Sequence, residues 1–155
     1  CLRFNFRGVG KSEGEFDDGL GELADAASAL DFLQANSPNS NACWVIGFSF
    51  GSWIGMQLLM RRPEINGFVS VSPPANLRDF SFLAPCPSSG LIIHGDKDNI
   101  ASFDSTKILV EKLHQQKKVD IKFKPIKGAD HFYESFSNEF EDSIKDYINQ
   151  TIEIK

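Results

Sequence analysis

The chain has 155 residues, of which 41% are hydrophobic, enough to bury the core of one domain. Its 16 Lys and Arg residues stand against 21 Asp and Glu residues, and neither sign is gathered into a block. This composition argues against a nucleic-acid or membrane partner and favours a small-molecule one. No apolar run of the sequence approaches the ~20 residues that a membrane-spanning helix needs.

The cysteines are Cys1, Cys43 and Cys86, an odd number, and Cys43 lies in an apolar segment that is predicted to be a strand. This pattern indicates buried free thiols rather than a disulfide framework. Free thiols favour a reducing compartment, so a cytoplasmic location is expected. The first residue is Cys rather than Met and lies in a predicted strand, so we expect the chain to begin inside its fold.

The first predicted strand covers residues 2–6, where apolar and polar residues alternate, and a glycine-rich loop follows at 7–14. Within that loop, Gly10-Lys11-Ser12 resembles the end of a phosphate-binding P-loop. The full motif requires a glycine where Asn5 stands and a helix that opens at once, whereas Gly14 interrupts the chain there. Nucleotide binding is therefore not favoured.

A helix is predicted over residues 20–35, because apolar residues recur there at helical spacing. The apolar stripe consists of Leu20, Leu23, Ala24, Ala27, Leu30, Phe32 and Leu33, and the acidic residues off it are Glu22, Asp25 and Asp31. The stripe is expected to pack against a sheet. A turn-forming cluster at residues 36–41 follows the helix.

Residues 47–51, Gly-Phe-Ser-Phe-Gly, fit the pattern G-x-S-x-G. In this pattern a buried strand runs into a sharp turn, the Ser occupies its apex, and a helix leaves at once. The apolar run at 43–46 and the helical pattern before Pro63 supply that context. A Cβ at Gly47 or Gly51 is expected to clash in such a turn. The alternative is an ordinary glycine-rich turn, and partners for Ser49 decide between the two.

The rest of the chain continues to alternate between strands and helices. Strands are predicted at residues 67–72, 91–94 and 119–123, the last at a sheet edge, and helices at 102–116 and 136–150. In the first of these helices, Ile108, Leu109 and Leu113 are expected to face inward. Alternation of this kind predicts an α/β fold with a mostly parallel sheet and helices on both faces.

The proline-rich segment 73–89 is predicted to be a loop with at most a short helical turn. It is at most a small lid. Its apolar residues Leu77, Phe80, Phe82 and Leu83 either line a site for an acyl or aromatic group or pack on the sheet.

Three residues with complementary chemistry each follow a predicted strand: Ser49, Asp98 and His131. Because ligands bind beyond the carboxyl ends of parallel strands, the three can converge at one edge of the sheet. A Ser hydroxyl needs a base within hydrogen-bonding reach, and an imidazole base needs a carboxylate that fixes its tautomer. The order Ser, acid, His along the chain is that of the α/β-hydrolases.

Four segments resemble the α/β-hydrolase superfamily, and its small bacterial members in particular. They are Arg3-Phe4-Asn5-Phe6-Arg7-Gly8 with Gly10-x-Ser12-x-Gly14, the turn at 47–51, His94-Gly95-Asp96-Lys97-Asp98, and Gly128-Ala129-Asp130-His131-Phe132. The resemblance implies a serine hydrolase that cleaves an ester-like or related acyl bond, with no cofactor and no metal. It also implies roles for four residues: Ser49 as nucleophile, His131 as general base and acid, Asp98 as the acid that orients His131, and the backbone N–H of Phe50 as an oxyanion donor.

Asp98 and His131 have rivals in the sequence. Asp96 is the rival acid, but the H-G-x-x-D arrangement matches Asp98, and Asp96 is expected to shape the turn through its own backbone. His114 lies on a polar helix and is expected to be solvated.

His94, at the end of a strand, is the other rival of His131. It is either a structural histidine or a metal ligand together with Asp96, Asp98 and His131. The metal interpretation is disfavoured because it leaves the turn at Ser49 unexplained.

The resemblance also implies further strands before Leu2 and a loop that carries a second oxyanion donor. We therefore expect residues 1–155 to be the carboxyl-terminal portion of a single α/β-hydrolase domain. The place between residues 2–6 and the strand before Ser49 would then be vacant. Loss of one oxyanion donor costs on the order of a hundredfold in rate, so the chain alone is expected to be inactive or nearly so. A non-catalytic binding protein with this fold is the alternative.

Overall fold

The computed structural model describes residues 1–153, in which helices and strands alternate. The strands are β1 (Trp44–Phe48), β2 (Gly67–Val71), β3 (Gly90–Gly95) and β4 (Ile121–Ile126). The helices are α1 (Leu20–Asn36), α2 (Phe50–Leu59), α3 (Phe103–His114) and α4 (Ser137–Glu153). Among residues 1–153, no helix combines the length and the apolar character needed to cross a bilayer.

The four strands form one sheet in the order β1-β2-β3-β4, and every neighbouring pair is parallel. Strands β2 and β3 are buried along their whole length, as expected for central strands with both faces covered. Strand β4 lies at an edge, as its alternating pattern indicates, although it begins at Ile121 rather than at residue 119. The predicted α/β fold with a parallel sheet is confirmed.

Each face of the sheet carries its own apolar core, because successive side chains of a strand point to opposite faces. One core contains Phe68 and Ile92 from the central strands, and packs against apolar residues of α1, α2 and α3. The other contains Val69, Val71 and Ile93, against which side chains of α4 pack. Helices therefore cover both faces.

The predicted strand at residues 2–6 is not formed. A strand is stable only when its backbone N–H and C=O groups pair with a neighbour, and no ladder joins this segment to the sheet. Instead, residues 2–6 and β1 both line a cavity of about 380 Å³, with Phe4 and Phe6 on one segment and Val45 and Phe48 on the other. The alternating pattern alone could not supply a partner strand.

The structure corrects the expected burial of several helical residues. In α1, the stripe residues Leu20 and Phe32 are exposed, and Glu22 is buried with 1% of its surface accessible. Glu22 faces inward because its carboxylate accepts hydrogen bonds from the backbone N–H groups of Asp17 and Gly19, at 2.9 and 2.8 Å. In α3, Ile108 is exposed and Val110 is buried in its place, whereas Leu109 and Leu113 face inward as expected.

The loop before α1 is fastened to the helix by an ion pair. The Arg7 guanidinium donates to both carboxylate oxygens of Asp25, at 3.1 and 2.8 Å, and the Arg7 backbone N–H donates to the same side chain. The guanidinium also covers Gly21, where a Cβ would collide with it. Arg7 is thus held against α1, the helix that precedes the turn at Ser49.

The three cysteines are free, as expected, but their burial differs. Cys86 is buried, and burial raises the pKa of its thiol. Cys43 is only half-buried, because it precedes β1 rather than lying within it.

Candidate active site

Ser49 lies at a sharp turn between β1 and α2. Its backbone has the left-handed φ of 50°, which is rare for a residue other than Gly. The turn is held by the Ser49 N–H, which donates to the carbonyl of Val71 at 2.8 Å, while the Ser49 carbonyl accepts from Ser52 N–H at 2.9 Å. The strained apex places the hydroxyl at the carboxyl end of the sheet.

Only one of the two glycines in this turn is required by space. A Cβ at Gly47 would collide with the backbone of Gly51 and Ser52, which explains a glycine there. A Cβ at Gly51 would meet nothing within 4 Å, so the expectation of a clash at Gly51 is wrong. Gly51 lies in the first turn of α2, where its Cβ position points into open space.

His131 is hydrogen-bonded to both Ser49 and Asp98. Its Nδ1 lies 2.7 Å from Asp98 Oδ2, and its Nε2 lies 3.0 Å from Ser49 Oγ. Residues that are separated by as many as 82 positions in the chain therefore meet at the carboxyl ends of β1, β3 and β4. The structure brings together the three residues that the sequence singled out.

Asp98 is held in the geometry of an ionised acceptor. Its side chain is fully buried, and its Oδ1 accepts the backbone N–H groups of Ile100 and Ala101, each at 2.8 Å. Burial opposes ionisation, but the hydrogen bonds from His131 and from these two amides outweigh it and lower the pKa of Asp98. Beside an ionised Asp98, the neutral form of His131 carries its proton on Nδ1, which leaves Nε2 free to accept from Ser49.

The loop that carries His131 is shaped by residues that the sequence did not reveal as important. Asp130 accepts the backbone N–H groups of Phe132 and Tyr133, at 3.2 and 2.9 Å, and so closes the turn around His131. The Tyr133 hydroxyl hydrogen-bonds to Ser72 Oγ at 2.8 Å beneath it. Asp130 and Tyr133 are close to His131 in the sequence, and this proximity could have drawn attention to them. Ser72 is far from His131 in the sequence, and only its contact with Tyr133 in the structure identifies it.

The imidazole of His131 is flanked by phenylalanine rings. The Phe48 ring lies 4.9 Å from it between centroids, and Phe132 meets it edge-on at 5.2 Å. Both phenylalanines are exposed, although His131 itself is only 3% exposed. The residue after Ser49, Phe50, begins α2, and the first backbone N–H groups of a helix have no intrahelical acceptor.

Asp96 and His114 occupy other positions. Asp96 Oδ1 accepts the Gly128 N–H at 2.6 Å, so it joins its loop to the His131 loop rather than shaping its own turn. His114 is exposed, and its Nε2 lies 2.7 Å from the Ile121 carbonyl at the start of β4. Neither contacts Ser49.

His94 is fully buried beside Asp98, with its Nε2 3.2 Å from Asp98 Oδ2. In the part of the chain that the structure describes, no group of three or more His, Cys, Asp and Glu side chains is arranged to hold a metal ion.

The segment 73–89 packs against the body of the protein. Its apolar residues were expected either to line a substrate site or to pack on the sheet. Phe80 and Leu83 belong to the core, so packing is the correct interpretation for these two. A groove of about 950 Å³ separates this segment from α3, and its lining residues do not include Ser49, Asp98 or His131. The smaller cavity of about 380 Å³ does reach the turn, where Gly47, Phe48 and Gly51 line it.

Comparison with known proteins identifies the same fold. Residues 1–90 match the family model of the alpha/beta hydrolase fold. An uncharacterized protein of Rickettsia prowazekii (strain Madrid E) is 55% identical over 151 residues, which are 95% of this chain and 63% of that protein. The chain thus spans less than two thirds of the length of this relative.

Two solved structures extend the comparison. A protein of unknown function from Agrobacterium tumefaciens, provisionally described as an α/β hydrolase, is 55% identical, with a TM-score of 0.95 over 99% of this chain and 70% of that one. A protein of Xanthomonas campestris, described as an α/β serine hydrolase without a lid, is 30% identical, with a TM-score of 0.83 over 96% of this chain and 65% of that one.

Proposed function

The chain belongs to the α/β-hydrolase family, and we propose that it is a serine hydrolase that cleaves an ester-like or related acyl bond through an acyl-Ser49 intermediate. The observation that carries the proposal is the pair of hydrogen bonds that links Asp98 to His131 and His131 to Ser49. The description of the Xanthomonas relative as a serine hydrolase supports it.

In the first half of the proposed reaction, Ser49 Oγ attacks the substrate carbonyl carbon while His131 Nε2 takes the hydroxyl proton. Asp98 stabilises the charged imidazole, and the Phe50 N–H donates to the oxyanion. The tetrahedral intermediate then collapses. His131 returns its proton to the leaving group, and the acyl group stays on Ser49.

In the second half, a water molecule takes the place of the leaving group. His131 removes a proton from the water as its oxygen attacks the acyl carbon, and then donates that proton to Ser49 Oγ. The products are a carboxylic acid and the free enzyme. The exposed rings of Phe48 and Phe132 beside His131 make an apolar substrate group compatible with this site.

Covalent labelling tests the proposal directly. A fluorophosphonate probe should modify Ser49, as identified by peptide mass spectrometry, because a phosphonylation needs an activated Ser but no complete turnover. The label should disappear in Ser49→Ala and in His131→Ala. It should persist in the matched control His114→Ala, whose imidazole hydrogen-bonds to the Ile121 carbonyl instead.

Two outcomes would contradict the proposal. Labelling of Ser49 that survives in His131→Ala would mean that His131 does not activate it. No labelling of Ser49 in folded protein that also carries the preceding strands and the second oxyanion donor expected from the resemblance would favour the alternative, a binding protein with this fold. Insensitivity of the labelling to a chelator is expected for the serine mechanism, and would separate it from metal-dependent hydrolysis.

A further inference from the structure

His94 is a wholly buried histidine that the proposed reaction leaves without a role. It lies in β3, and none of its side chain is accessible to solvent. Its Nε2 is 3.0 Å from the carbonyl oxygen of Ala101 and 3.2 Å from Asp98 Oδ2. Its Nδ1 has no hydrogen-bond partner among residues 1–153. A buried polar ring that is satisfied on one side only calls for an explanation.

The surroundings of His94 determine its tautomer. Both atoms that face Nε2 are oxygen acceptors, so Nε2 carries a proton. Burial lowers the pKa of His94, which makes the ring neutral near pH 7. The single proton of the neutral ring is then on Nε2, and Nδ1 is bare.

The His94 N–H closes a ring of hydrogen bonds around Asp98. His94 Nε2–H donates to the Ala101 carbonyl, and the Ala101 N–H donates to Asp98 Oδ1 at 2.8 Å. Asp98 Oδ2, in turn, accepts from His131 Nδ1 at 2.7 Å. The turn at residues 98–101, whose backbone amides bind Asp98, is therefore hydrogen-bonded to β3 through the His94 imidazole. The positive end of the same N–H lies beside the oxygen that His131 uses.

We propose that His94 is a positioning residue, which keeps the Asp98 carboxylate ionised and aimed at His131 by fastening the 98–101 turn to β3. Its consequence for Ser49 reactivity rests on the proposed function. Its effect on Asp98 does not, since it follows from the contacts among His94, Asp98 and Ala101 alone. The neighbouring Phe103 ring, 5.8 Å from His94 between centroids, encloses the imidazole on the α3 side.

Few titratable groups face this cluster, so its pH response can be assigned. Asp98 and His131 are the groups in contact or coulombic range of His94. Tyr133, from the His131 loop, also interacts electrostatically with Asp98, but burial raises the pKa of its hydroxyl to about 12. In the His94 register of the sheet, β4 presents Pro125, which does not titrate. The pH dependence of an Asp98 signal can therefore be assigned to this cluster.

Two substitutions of similar size separate positioning from simple core filling. His94→Gln can place an amide N–H near the present Nε2 and retain the bond to Ala101, whereas His94→Leu fills the space without a donor. The rate of fluorophosphonate labelling at Ser49 should fall about tenfold in His94→Leu, because the catalytic geometry is loosened. It should stay close to the wild-type rate in His94→Gln.

Nuclear magnetic resonance tests the inference without any reaction at Ser49. A proton on Nε2 of His94 is expected in the wild type. The pH midpoint of the Asp98 carboxyl carbon should rise in His94→Leu, where the carboxylate loses a stabilising dipole, and should be little changed in His94→Gln. These signals still decide the matter if the wild type is not labelled, an outcome that would count against the proposed function only.

Three results would overturn the inference. One is a proton on Nδ1 of His94. Another is an Asp98 midpoint and a labelling rate that are the same in His94→Leu as in the wild type. The third is an equal loss in His94→Gln and His94→Leu, both folded by circular dichroism, which would indicate that ring shape rather than the donor matters. If His94→Leu does not fold, the wild-type tautomer and the His94→Gln titration decide.

Discussion

Asp98→Asn should nearly abolish the reactivity of Ser49. The two backbone N–H groups at 2.8 Å from Oδ1 demand an acceptor there, so the new amide must turn its NH₂ toward His131. That NH₂ would face Nδ1 at the present 2.7 Å, where it can only donate. His131 would then carry its proton on Nε2, toward Ser49 Oγ, and could not accept the hydroxyl proton.

The same tautomer error costs about 10⁴-fold in serine proteases, or about 5 kcal/mol in the activation barrier. The rate of fluorophosphonate labelling at Ser49, measured against time by mass spectrometry, should fall by that order. The matched control is Asp96→Asn, in which the Oδ1 acceptor for Gly128 N–H is retained. Asp96→Asn should label at close to the wild-type rate. Retention of more than about a tenth of the wild-type rate in Asp98→Asn would refute the reasoning.

Two further predictions concern stability, measured by urea unfolding. Gly47→Ala should lower the free energy of unfolding by about 1–3 kcal/mol, because the new Cβ meets the backbone of Gly51. Gly51→Ala should be neutral or stabilising by up to about 1 kcal/mol, because its Cβ meets nothing within 4 Å. Equal losses of stability in the two variants would contradict this reasoning. Glu22→Gln should cost about 1–3 kcal/mol at pH 7, because its NH₂ would face a backbone N–H. Burial opposes ionisation of Glu22, but hydrogen bonds from backbone amides and the charge of Arg7 lower its pKa in the folded protein. The ionised carboxylate therefore contributes to the free energy of unfolding above about pH 4.3, the pKa of an unfolded Glu. This contribution is lost as the pH falls through the lower pKa of the folded state. The difference between wild type and Glu22→Gln should therefore shrink in acid, and a constant difference would show that the charge is not involved.

The order of strands and helices could be predicted from the sequence because it depends on local patterns. Apolar spacing located β2, β3 and all four helices to within a few residues. The turn at residues 47–51 and the loops after β3 and β4 then placed Ser49, Asp98 and His131 at one edge, since parallel strands share their carboxyl ends. Their roles stay proposals until labelling tests them.

The errors occurred where an outcome depends on contacts that the pattern of apolar residues does not encode. Residues 2–6 have the alternation of a strand, but a strand exists only if a neighbour pairs with it. Glu22 was expected to lie off the buried stripe, but it is buried because a preceding loop needs an acceptor. Ile108 was expected to face inward with its neighbour Leu109, yet the packing of α3 leaves it exposed.

The sequence by itself determined the α/β fold and the three residues that meet at the sheet edge, because backbone propensity, apolar period and turn chemistry are properties of short segments. Only the tertiary structure decided how those residues are held. The bond from His94 to the Ala101 carbonyl, the bond from Asp96 to Gly128, and the contact of Tyr133 with Ser72 join segments whose distances in space follow from the packing of the whole sheet. A hydrogen bond depends on tenths of an ångström, and no pattern of residue types specifies distance at that level.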